Sequence, residues 1–383
     1  MQLSYSEFID SELIHFSNAD NVRSIPSMVD GLKPGQRKIL FSCFKRGKSM
    51  MKTEIKVAQL AGYVSEHSAY HHGETSLAGT IVGMAQTFVG SNNIPLLTPA
   101  GQFGTRLLGG KDAASPRYIF TKLPSLTRLI YHPADDALLE QLEDDGQFIE
   151  PKHYVPILPM VLVNGAEGIG TGWSSSVPMY NPRDIVANLH RMMAGEEPEP
   201  MVPWYRGFTG AISAADKGSY VTYGTVAKVD ETTLHISELP LRKWTQDYKD
   251  SVLEPMLNNG EKADLALSDV REHHTDATVS FTLKLSESAM ADAMKKGLHK
   301  ARAPHSSPIT ARRWGRGAER AFISRLARLL PLTPPSPRDP MCTQSSPPPS
   351  LALLDALLDA LLDALPRPAR RYSSFPHPSR PPT

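Results

Sequence analysis

An arginine directly precedes a tyrosine in the stretch SPRYIF, as Arg117 and Tyr118. A tyrosine can act as a nucleophile on phosphorus, but a phenol has a pKa near 10 and attacks poorly at neutral pH. The reaction needs nearby cations that stabilise both the phenolate and the crowded transition state. The dipeptide alone leaves three interpretations of Tyr118 open, namely a nucleophile, a buried ring or a phosphorylation site.

The cations that would serve Tyr118 must come from several parts of the chain. Arg117 is adjacent, but neighbours in an extended segment point to opposite faces, so Arg117 reaches the same phosphate only if the backbone bends. The other candidates are His71 and His72, at a predicted helix junction, and Arg37. If Tyr118 is a nucleophile, these four residues are the candidates for the cations around it.

Basic residues are concentrated between positions 30 and 56. Eight of them lie there against two acids, Asp30 and Glu54, which gives a local net charge of +6. The basic residues are Lys33, Arg37, Lys38, Lys45, Arg46, Lys48, Lys52 and Lys56. Such a cluster beside a predicted helix-turn-helix suits a polyphosphate partner. The alternative is an ordinary solvated helix face.

Other patterns in the sequence have simpler explanations. His67 and His71 have a spacing that can hold zinc on a helix, but HSAYH lacks the glutamate that a metalloprotease uses after its first histidine. GIGTG, around Ile169, lacks the spacing of a nucleotide-binding loop. Trp173 and Trp244 are expected to pack in a core or between domains. We predict no metal site.

The spacing of apolar residues predicts the helices that must position these groups. YSEFIDSELIHFS places Phe8, Leu13 and Phe16 near helical spacing. GLKPGQRKILFSCFKRG predicts a helix that begins near Pro34 and ends at Gly47. The segment that runs from VAQLAGY to TFVG predicts two helices joined at HHGE, which is the outline of a helix-turn-helix.

Strand-like segments are concentrated between residues 151 and 300. They are VPILPMVLV, SYVTYGTVAKV, TTLHISEL and ATVSFTLKL. A helical first part followed by a β-rich second part predicts an α+β, multidomain protein.

The composition is that of a soluble globular protein, with 40% hydrophobic and 21% charged residues among 383. Two cysteines, Cys43 and Cys342, provide neither a disulfide framework nor paired zinc ligands, which favours a reducing compartment. The N-terminus contains acids and lacks the apolar stretch of a signal peptide. No apolar run approaches the roughly 20 residues of a membrane helix, so no membrane partner is predicted.

Residues 301–383 differ in composition from the rest of the chain. They hold 16 of the 33 prolines, 12 arginines, 5 acids and no lysine, whereas residues 1–300 hold 29 basic and 35 acidic residues. The tail is thus net +7 and the preceding part net −6. Proline at this density blocks both helix and sheet, so the tail is predicted to be disordered.

Four long blocks resemble the DNA-breakage region of eukaryotic type IIA DNA topoisomerases (topoisomerase II). They are SIPSMVDGLKPGQRKILFSCFKR, KVAQLAGYVSEHSAYHHGE, FVGSNNIPLLTPAGQFGTRLLGGKDAASPRYIF and ILPMVLVNGAEGIGTGWS. The resemblance covers about residues 3–300, and bacterial gyrase is similar at a greater distance. It implies a winged-helix (helix-turn-helix) breakage domain at 1–150, a partial β-rich tower domain at 151–300 and an aberrant or disordered tail at 301–383.

The resemblance also implies the chemistry. Tyr118 would attack a DNA phosphodiester and become joined to the 5′ end, and Arg117 would help to hold the scissile phosphate. His71, His72 and Arg37 fall in blocks that line this site in the family. Further DNA contacts are predicted at Lys33, Lys38, Lys45, Arg46, Lys56 and Ile169. Of these, Ile169 matches an isoleucine that wedges between bases and bends the DNA.

The enzyme implied is an ATP-dependent type II DNA topoisomerase of the nucleus, a homodimer that acts on double-stranded DNA. Its Mg²⁺ and ATP are expected to be bound by domains absent from this chain, and the similarity ends near Lys300. The chain alone is therefore expected to be inactive. The alternative is a truncated DNA-binding module that cannot cleave by itself.

Overall fold

A computed structural model describes residues 4–215, 219–258, 267–296, 298 and 311–314. Its α-helices are α1 (Tyr5–Phe8), α2 (Ile14–Ser24), α3 (Pro34–Lys45), α4 (Lys48–Lys52), α5 (Val57–His67), α6 (Glu74–Ala85), α7 (Ser125–Ile130), α8 (Met160–Val163), α9 (Pro182–Met193), α10 (Thr245–Tyr248), α11 (Glu254–Asn258) and α12 (Glu287–Lys296). Two π-helical segments, Ile9–Leu13 and Lys249–Leu253, and a 3₁₀ helix, Pro133–Leu138, lie between them.

The strands are β1 (Ile55–Lys56), β2 (Thr98–Ala100), β3 (Phe120–Lys122), β4 (Gln141–Asp144), β5 (Gln147–Pro151), β6 (Ala166–Ile169), β7 (Ser174–Val177), β8 (Ala211–Ala214), β9 (Tyr220–Tyr223), β10 (Thr225–Lys228), β11 (Thr233–Glu238), β12 (Leu267–Glu272), β13 (Phe281–Leu285) and β14 (Ala311–Trp314). They form antiparallel sheets in the orders β1-β3-β2, β10-β11-β13-β12 and β14-β9-β8, and two hairpins, β4-β5 and β6-β7.

The N-terminal part of the chain is a continuous helical rod over residues 5–24, as its apolar spacing predicted. None of its residues is buried, and Tyr5, Phe8 and Phe16 are exposed to solvent. The rod touches the rest of the described chain near its C-terminal end, through α2.

Helix α3 has the boundaries that its sequence predicted. Pro34 occupies the first turn, and the Lys33 N–H donates to Gln36 Oε1 at 2.9 Å, which satisfies one of the unpaired donors at the helix start. Gly47 follows the helix at a φ of +64°, a conformation that favours glycine. Ile39 and Leu40 are completely buried, so one face of this helix is anchored in the core.

Helices α5 and α6 are the two helices predicted on either side of HHGE. They are joined by residues 68–73, and α5 directly follows β1, which pairs with β3. The apolar faces of α3, α5 and α6 share one hydrophobic core, which extends from Leu32 to Met201. This core holds the loop of residues 68–73 beside the start of α3, because Tyr70 approaches Gly35 there.

A second hydrophobic core lies under the four-stranded sheet. Phe281, Leu283 and Leu285 alternate with more exposed residues along β13, which is the period-2 pattern predicted for this segment. The sheet packs with Tyr248, Val252 and other apolar residues of the helical segment 245–258. The strands predicted in SYVTYGTVAKV and TTLHISEL are likewise present as β9, β10 and β11.

The two cores are joined by polar contacts, one of which is buried. Arg106 and Glu238 form an ion pair in which both side chains are buried. The Gln246 N–H donates to the Leu107 carbonyl at 3.0 Å. The ring of Trp244 meets the ring of Phe88 edge-on, with centroids 5.6 Å apart, so Trp244 packs between elements as predicted.

The α+β fold class is confirmed, but the strand predicted for VPILPMVLV is wrong. Residues 160–163 form α8, and Pro156 and Pro159 lack the N–H that a strand ladder requires. A short buried apolar run does not distinguish strand from helix by periodicity. The division at residues 150 and 300 stays a prediction. Most of the tail 301–383 lies outside the described residues. Its described part, Ala311–Trp314, is β14 and pairs with β9.

Candidate nucleophile and nucleic-acid interface

Tyr118 lies at the end of a tight turn. The Tyr118 N–H donates to the Ser115 carbonyl at 2.9 Å, with Pro116 and Arg117 as the central residues. The backbone therefore bends between Arg117 and Tyr118, which is the condition that allows both to face one phosphate. The Tyr118 side chain is 76% exposed, so the interpretation of Tyr118 as a buried ring is wrong.

The turn is fixed by the elements that surround it. The Val57 N–H donates to the Ile119 carbonyl and the Ala58 N–H to the Pro116 carbonyl, each at 3.0 Å. These are the first residues of α5, whose N–H groups lack partners within the helix. Ile119 itself is buried. The exposed phenol of Tyr118 is therefore carried by a backbone that the core and α5 hold in place.

Lys56 is the predicted DNA contact that lies closest in register to this turn. It pairs with Phe120 in the β1-β3 ladder, and its ammonium group lies 5.9 Å from the centre of the Phe120 ring. Lys56 and Arg117 are both exposed. The structure thus brings two cations into the neighbourhood of Tyr118.

His71 and His72 lie together in the loop between α5 and α6. His71 Nε2 is 3.7 Å from Asp144 Oδ2 of the β4-β5 hairpin, and both side chains are exposed. The ring of His72 meets the ring of Tyr70 edge-on, with centroids 5.5 Å apart. Within the described part of the chain, no hydrogen bond or ion pair joins either histidine to Tyr118.

The predicted role of Arg37 at the phosphate does not agree with its position. Arg37 is only 5% exposed. Its Nε donates to Asp30 Oδ2 at 2.7 Å, and an Nη donates to Asp30 Oδ1 and to the Leu32 carbonyl, both at 3.1 Å. Asp30 is completely buried, so the guanidinium neutralises an internal carboxylate. Three of its five N–H donors are used in this enclosed contact, which favours a structural role, and the role of Arg37 at the phosphate stays a prediction.

Lys38 is half-buried, and its charge is also paired with an internal carboxylate. Its ammonium group donates to the Ser68 carbonyl and to Glu150 Oε2, the latter at 2.9 Å, and the Glu150 side chain is buried. Lys38 therefore joins α3 to the loop of residues 68–73 and to β5, and its contact with DNA stays a prediction.

The other predicted cations are nearer to solvent. Lys45 is exposed, with its ammonium group 5.7 Å from the centre of the Phe41 ring. Arg46 is half-buried and lies over the ring of Tyr63 at 4.8 Å. Lys33 is half-buried at the start of α3. Arg37 and Lys38, whose charges are paired with buried carboxylates, form an internal set, whereas Lys33, Lys45, Arg46 and Lys56 form a surface set.

Ile169 ends strand β6 and is 80% exposed, an unusual position for an isoleucine. It pairs with Ser174 across the β6-β7 hairpin, and the Gly170 N–H donates to the Trp173 carbonyl at 2.9 Å to close the loop. Trp173 is 73% exposed. The expectation that Trp173 packs in a core is therefore wrong, because it lies in the solvent-exposed loop of this hairpin.

The described residues do not fit the Mg²⁺ that the resemblance implies for the complete enzyme. They contain no group of three or more histidine, cysteine, aspartate or glutamate side chains that could hold a metal ion. None of the helices in the described ranges is long and apolar enough to cross a membrane.

Comparisons with known proteins agree with this geometry. The sequence profile of the family described as the A subunits of DNA gyrase/topoisomerase IV matches residues 23–307. Human DNA topoisomerase 2-alpha is 60% identical over 298 residues, which cover 78% of this chain and 19% of the human protein. Chicken (Gallus gallus) DNA topoisomerase 2-beta is 59% identical over 298 residues, which cover 78% of this chain and 18% of the chicken protein.

A solved structure is also similar. The Plasmodium falciparum topoisomerase II DNA-binding, cleavage and re-ligation domain matches with a TM-score of 0.76 and 46% sequence identity, over 85% of this chain and 45% of that chain. This chain thus corresponds to less than a fifth of the length of the curated relatives named above. Because the matched profile includes the turn of Tyr118, the histidine loop and the hairpin of Ile169, the chain belongs to the DNA gyrase/topoisomerase IV family of type IIA DNA topoisomerases.

Proposed function

We propose that this chain carries the DNA breakage-and-reunion chemistry of a type II DNA topoisomerase, with Tyr118 as the nucleophile. The observation that carries the proposal is the exposed Tyr118 phenol, placed beside Arg117 on a turn that α5 fixes. A nucleophile held in place needs little reorganisation when the DNA arrives, which favours reaction over a freely moving side chain.

The proposed reaction exchanges one phosphodiester for another. Tyr118 Oη bonds to the phosphorus of a DNA phosphodiester while the bond from phosphorus to the 3′ oxygen breaks. The phenol loses its proton to a base, and the departing 3′ oxygen takes up a proton. The product is a 5′-phosphotyrosine ester and a free 3′ hydroxyl, and attack by that hydroxyl reverses the step. Since a phosphodiester is present on both sides, resealing requires no external energy.

The cations have separate parts in this proposal. Arg117, which precedes Tyr118 in the turn, would stabilise the charge that develops on the phosphoryl oxygens. Lys56 would hold a neighbouring phosphate. His71 or His72 would exchange the proton, since an imidazole nitrogen can either accept or donate one.

The DNA would extend from this site over the surface set of cations and the hairpin. Lys33, Lys45 and Arg46 would contact phosphates, which position a duplex without reading its sequence. Ile169 would enter the base stack, where an apolar wedge unstacks a step and bends the duplex. In this account the internal set supports the fold of the site and does not contact DNA.

The remaining expectations for the complete enzyme follow from the family. We infer a winged-helix domain at 1–150 and a tower domain at 151–300, a homodimer on double-stranded DNA, and a nuclear location. Mg²⁺ and ATP would be bound outside the residues described in this structure.

The proposal is tested with a chimera. In it, residues 4–300 of this chain replace the matching region of a full-length topoisomerase 2 relative. The chimera is incubated with DNA and Mg²⁺, and covalent complexes are trapped with detergent and resolved on a gel. Tyr118→Phe keeps the ring and removes the attacking oxygen, so adducts should disappear while DNA binding persists. Tyr5→Phe, which removes another exposed phenol, is the matched control and should cleave at the parental level.

Arg117→Ala in the same chimera should slow cleavage by about 10²–10³-fold, the usual effect of removing one donor to a developing oxyanion. Adducts from Tyr118→Phe at parental levels would exclude Tyr118 as the nucleophile. A chimera that binds DNA but forms no adduct even with Tyr118 intact would favour the alternative, a DNA-binding module without cleavage.

A further inference from the structure

The loop that joins β6 and β7 is attached to the end of helix α2. The Thr171 hydroxyl donates to Asp20 Oδ2 at 2.9 Å, and Asn21 Nδ2 donates to the Thr171 carbonyl at 3.2 Å. The two segments are about 150 residues apart in the sequence. The helical rod therefore holds the loop beside Ile169 from one side, through both the side chain and the backbone of Thr171.

Two glycines allow this close approach. A Cβ on Gly168 would lie 2.9 Å from the Ile25 Cα and closer still to the Ser24 carbonyl oxygen, and both are backbone atoms that cannot turn away. A Cβ on Gly170 would overlap Asn21, 3.2 Å from its Cα. Neither glycine has a left-handed φ, so both are required for space and not for conformation. The glycines of GIGTG on either side of Ile169 thus have a structural explanation.

Asp20 accepts three hydrogen bonds at this contact. Besides Thr171, it accepts from Ser24 Oγ at 3.1 Å and from an Arg23 Nη at 3.2 Å. The Thr171 hydroxyl, and next the Ser24 hydroxyl, hold the pKa of Asp20 below its ordinary value. A carboxylate would repel a DNA phosphate, so its position beside the proposed DNA face is better explained by its contact with the loop.

We propose that Asp20, Asn21 and Thr171 are positioning residues that hold Ile169 in place against the base stack. The inference rests on the proposed wedge function of Ile169. Because Ile169 is exposed, its own side chain does not anchor it, and a two-stranded hairpin is by itself only marginally stable. At the other end of the hairpin, Glu167 pairs with Arg242. Unstacking a base step costs free energy, so the bases resist the inserted side chain. A loop that is not held by α2 would therefore be displaced by the DNA, and the duplex would be bent less.

The experiment measures DNA bending by the full chain, through energy transfer between dyes on the two ends of a short duplex, together with affinity. Thr171→Val removes the donor to Asp20 at nearly constant volume, whereas Thr171→Ser retains it. Thr171→Val should shift the bend at least halfway to that of Ile169→Ala with affinity changed less than twofold, and Thr171→Ser should bend as the parent does. Ser176→Ala, on the exposed side of the same hairpin, is the control and should have no effect.

A merely destabilising change is distinguished by combining variants. Thr171→Val added to Ile169→Ala should cause no further loss of bending, because the wedge is already absent. Amide exchange at Gly170 and Trp173 should be several times faster in Thr171→Val than in Thr171→Ser, in the absence of DNA.

Parental bending by Thr171→Val would overturn the positioning role alone. Unchanged bending by Ile169→Ala would overturn the wedge and this proposal with it. Neither result touches the assignment of Tyr118, because the assay contains no cleavage step.

Discussion

Replacing Arg37 with methionine removes a guanidinium from a site where it makes three hydrogen bonds, two of them to Asp30. Asp30 would keep the N–H groups of Leu32 and Tyr154, both at 3.0 Å, but its buried charge would have no counter-ion. Breaking a buried ion pair by removing one partner typically costs about 3–5 kcal/mol. We therefore expect Arg37→Met to lower the free energy of unfolding by that amount.

The reasoning is checked by urea denaturation of Arg37→Met, Asp30→Asn and the double variant. In the double variant a neutral amide replaces the carboxylate, so no uncompensated charge remains. Its loss of stability should be smaller than the sum of the two single losses, with a coupling energy of about 0.5–3 kcal/mol. The assay is completed by a titration with duplex DNA under conditions in which each variant is folded.

A phosphate contact predicts the opposite pattern. If Arg37→Met left the unfolding midpoint unchanged and weakened DNA binding, Arg37 would be a DNA ligand and its burial would not describe the working protein. Lys45→Ala is the matched comparison from the surface set, since it should weaken DNA binding with little effect on stability.

Two further predictions concern burial elsewhere in the fold. Burial raises the pKa of the completely enclosed Cys43 thiol to about 12. In a Cys342→Ser chain, Cys43 should therefore react with a thiol reagent at pH 8 only after urea is added. Stoichiometric reaction in buffer without urea would contradict the enclosure of Cys43. Gly109→Ala would place a Cβ 2.6 Å from Trp244 Cδ2 and should lower the free energy of unfolding by about 1–3 kcal/mol. Gly146→Ala, which has a similar φ but open space around the Cβ, is the control and should show only the smaller backbone cost. Equal losses of stability in urea denaturation would exclude the clash with Trp244.

Local signals in the sequence were sufficient for several elements. Pro34 and Gly47 mark the ends of α3, because each residue has a backbone preference that acts within a few positions. The alternation of apolar residues in β13 specified a strand with one buried face. The strand predicted for VPILPMVLV failed because a short apolar run fits a buried helix equally well.

The roles within the basic cluster depend on residues that are far away in the sequence. Arg37 and Lys45 have the same charge and lie in the same helix, yet one is enclosed and the other is exposed. Lys38 is paired with the buried carboxylate of Glu150, 112 residues later in the sequence. No pattern within the cluster reveals such a partner, so sequence reasoning assigned Lys38 and Lys45 to DNA contacts and Arg37 to the catalytic site.

The site of Tyr118 was partly predictable. Its identity came from the family blocks, and the requirement for a bend at Arg117 came from elementary geometry. The turn itself depends on contacts of Val57 and Ala58 with the carbonyls around Tyr118, which join segments about 60 residues apart. The attachment of Thr171 to α2 had no sequence signal except the two glycines around Ile169.

The most direct test of the central claim is to locate the covalent bond. A chimera that contains residues 4–300 is trapped on DNA, digested with protease and nuclease, and its nucleotide-bearing peptide is sequenced by mass spectrometry. The proposed reaction predicts a single modified residue, Tyr118, linked through its oxygen to a 5′ phosphate, with a free 3′ hydroxyl on the other DNA end. Attachment to any other residue, or to the 3′ end of the break, would contradict it.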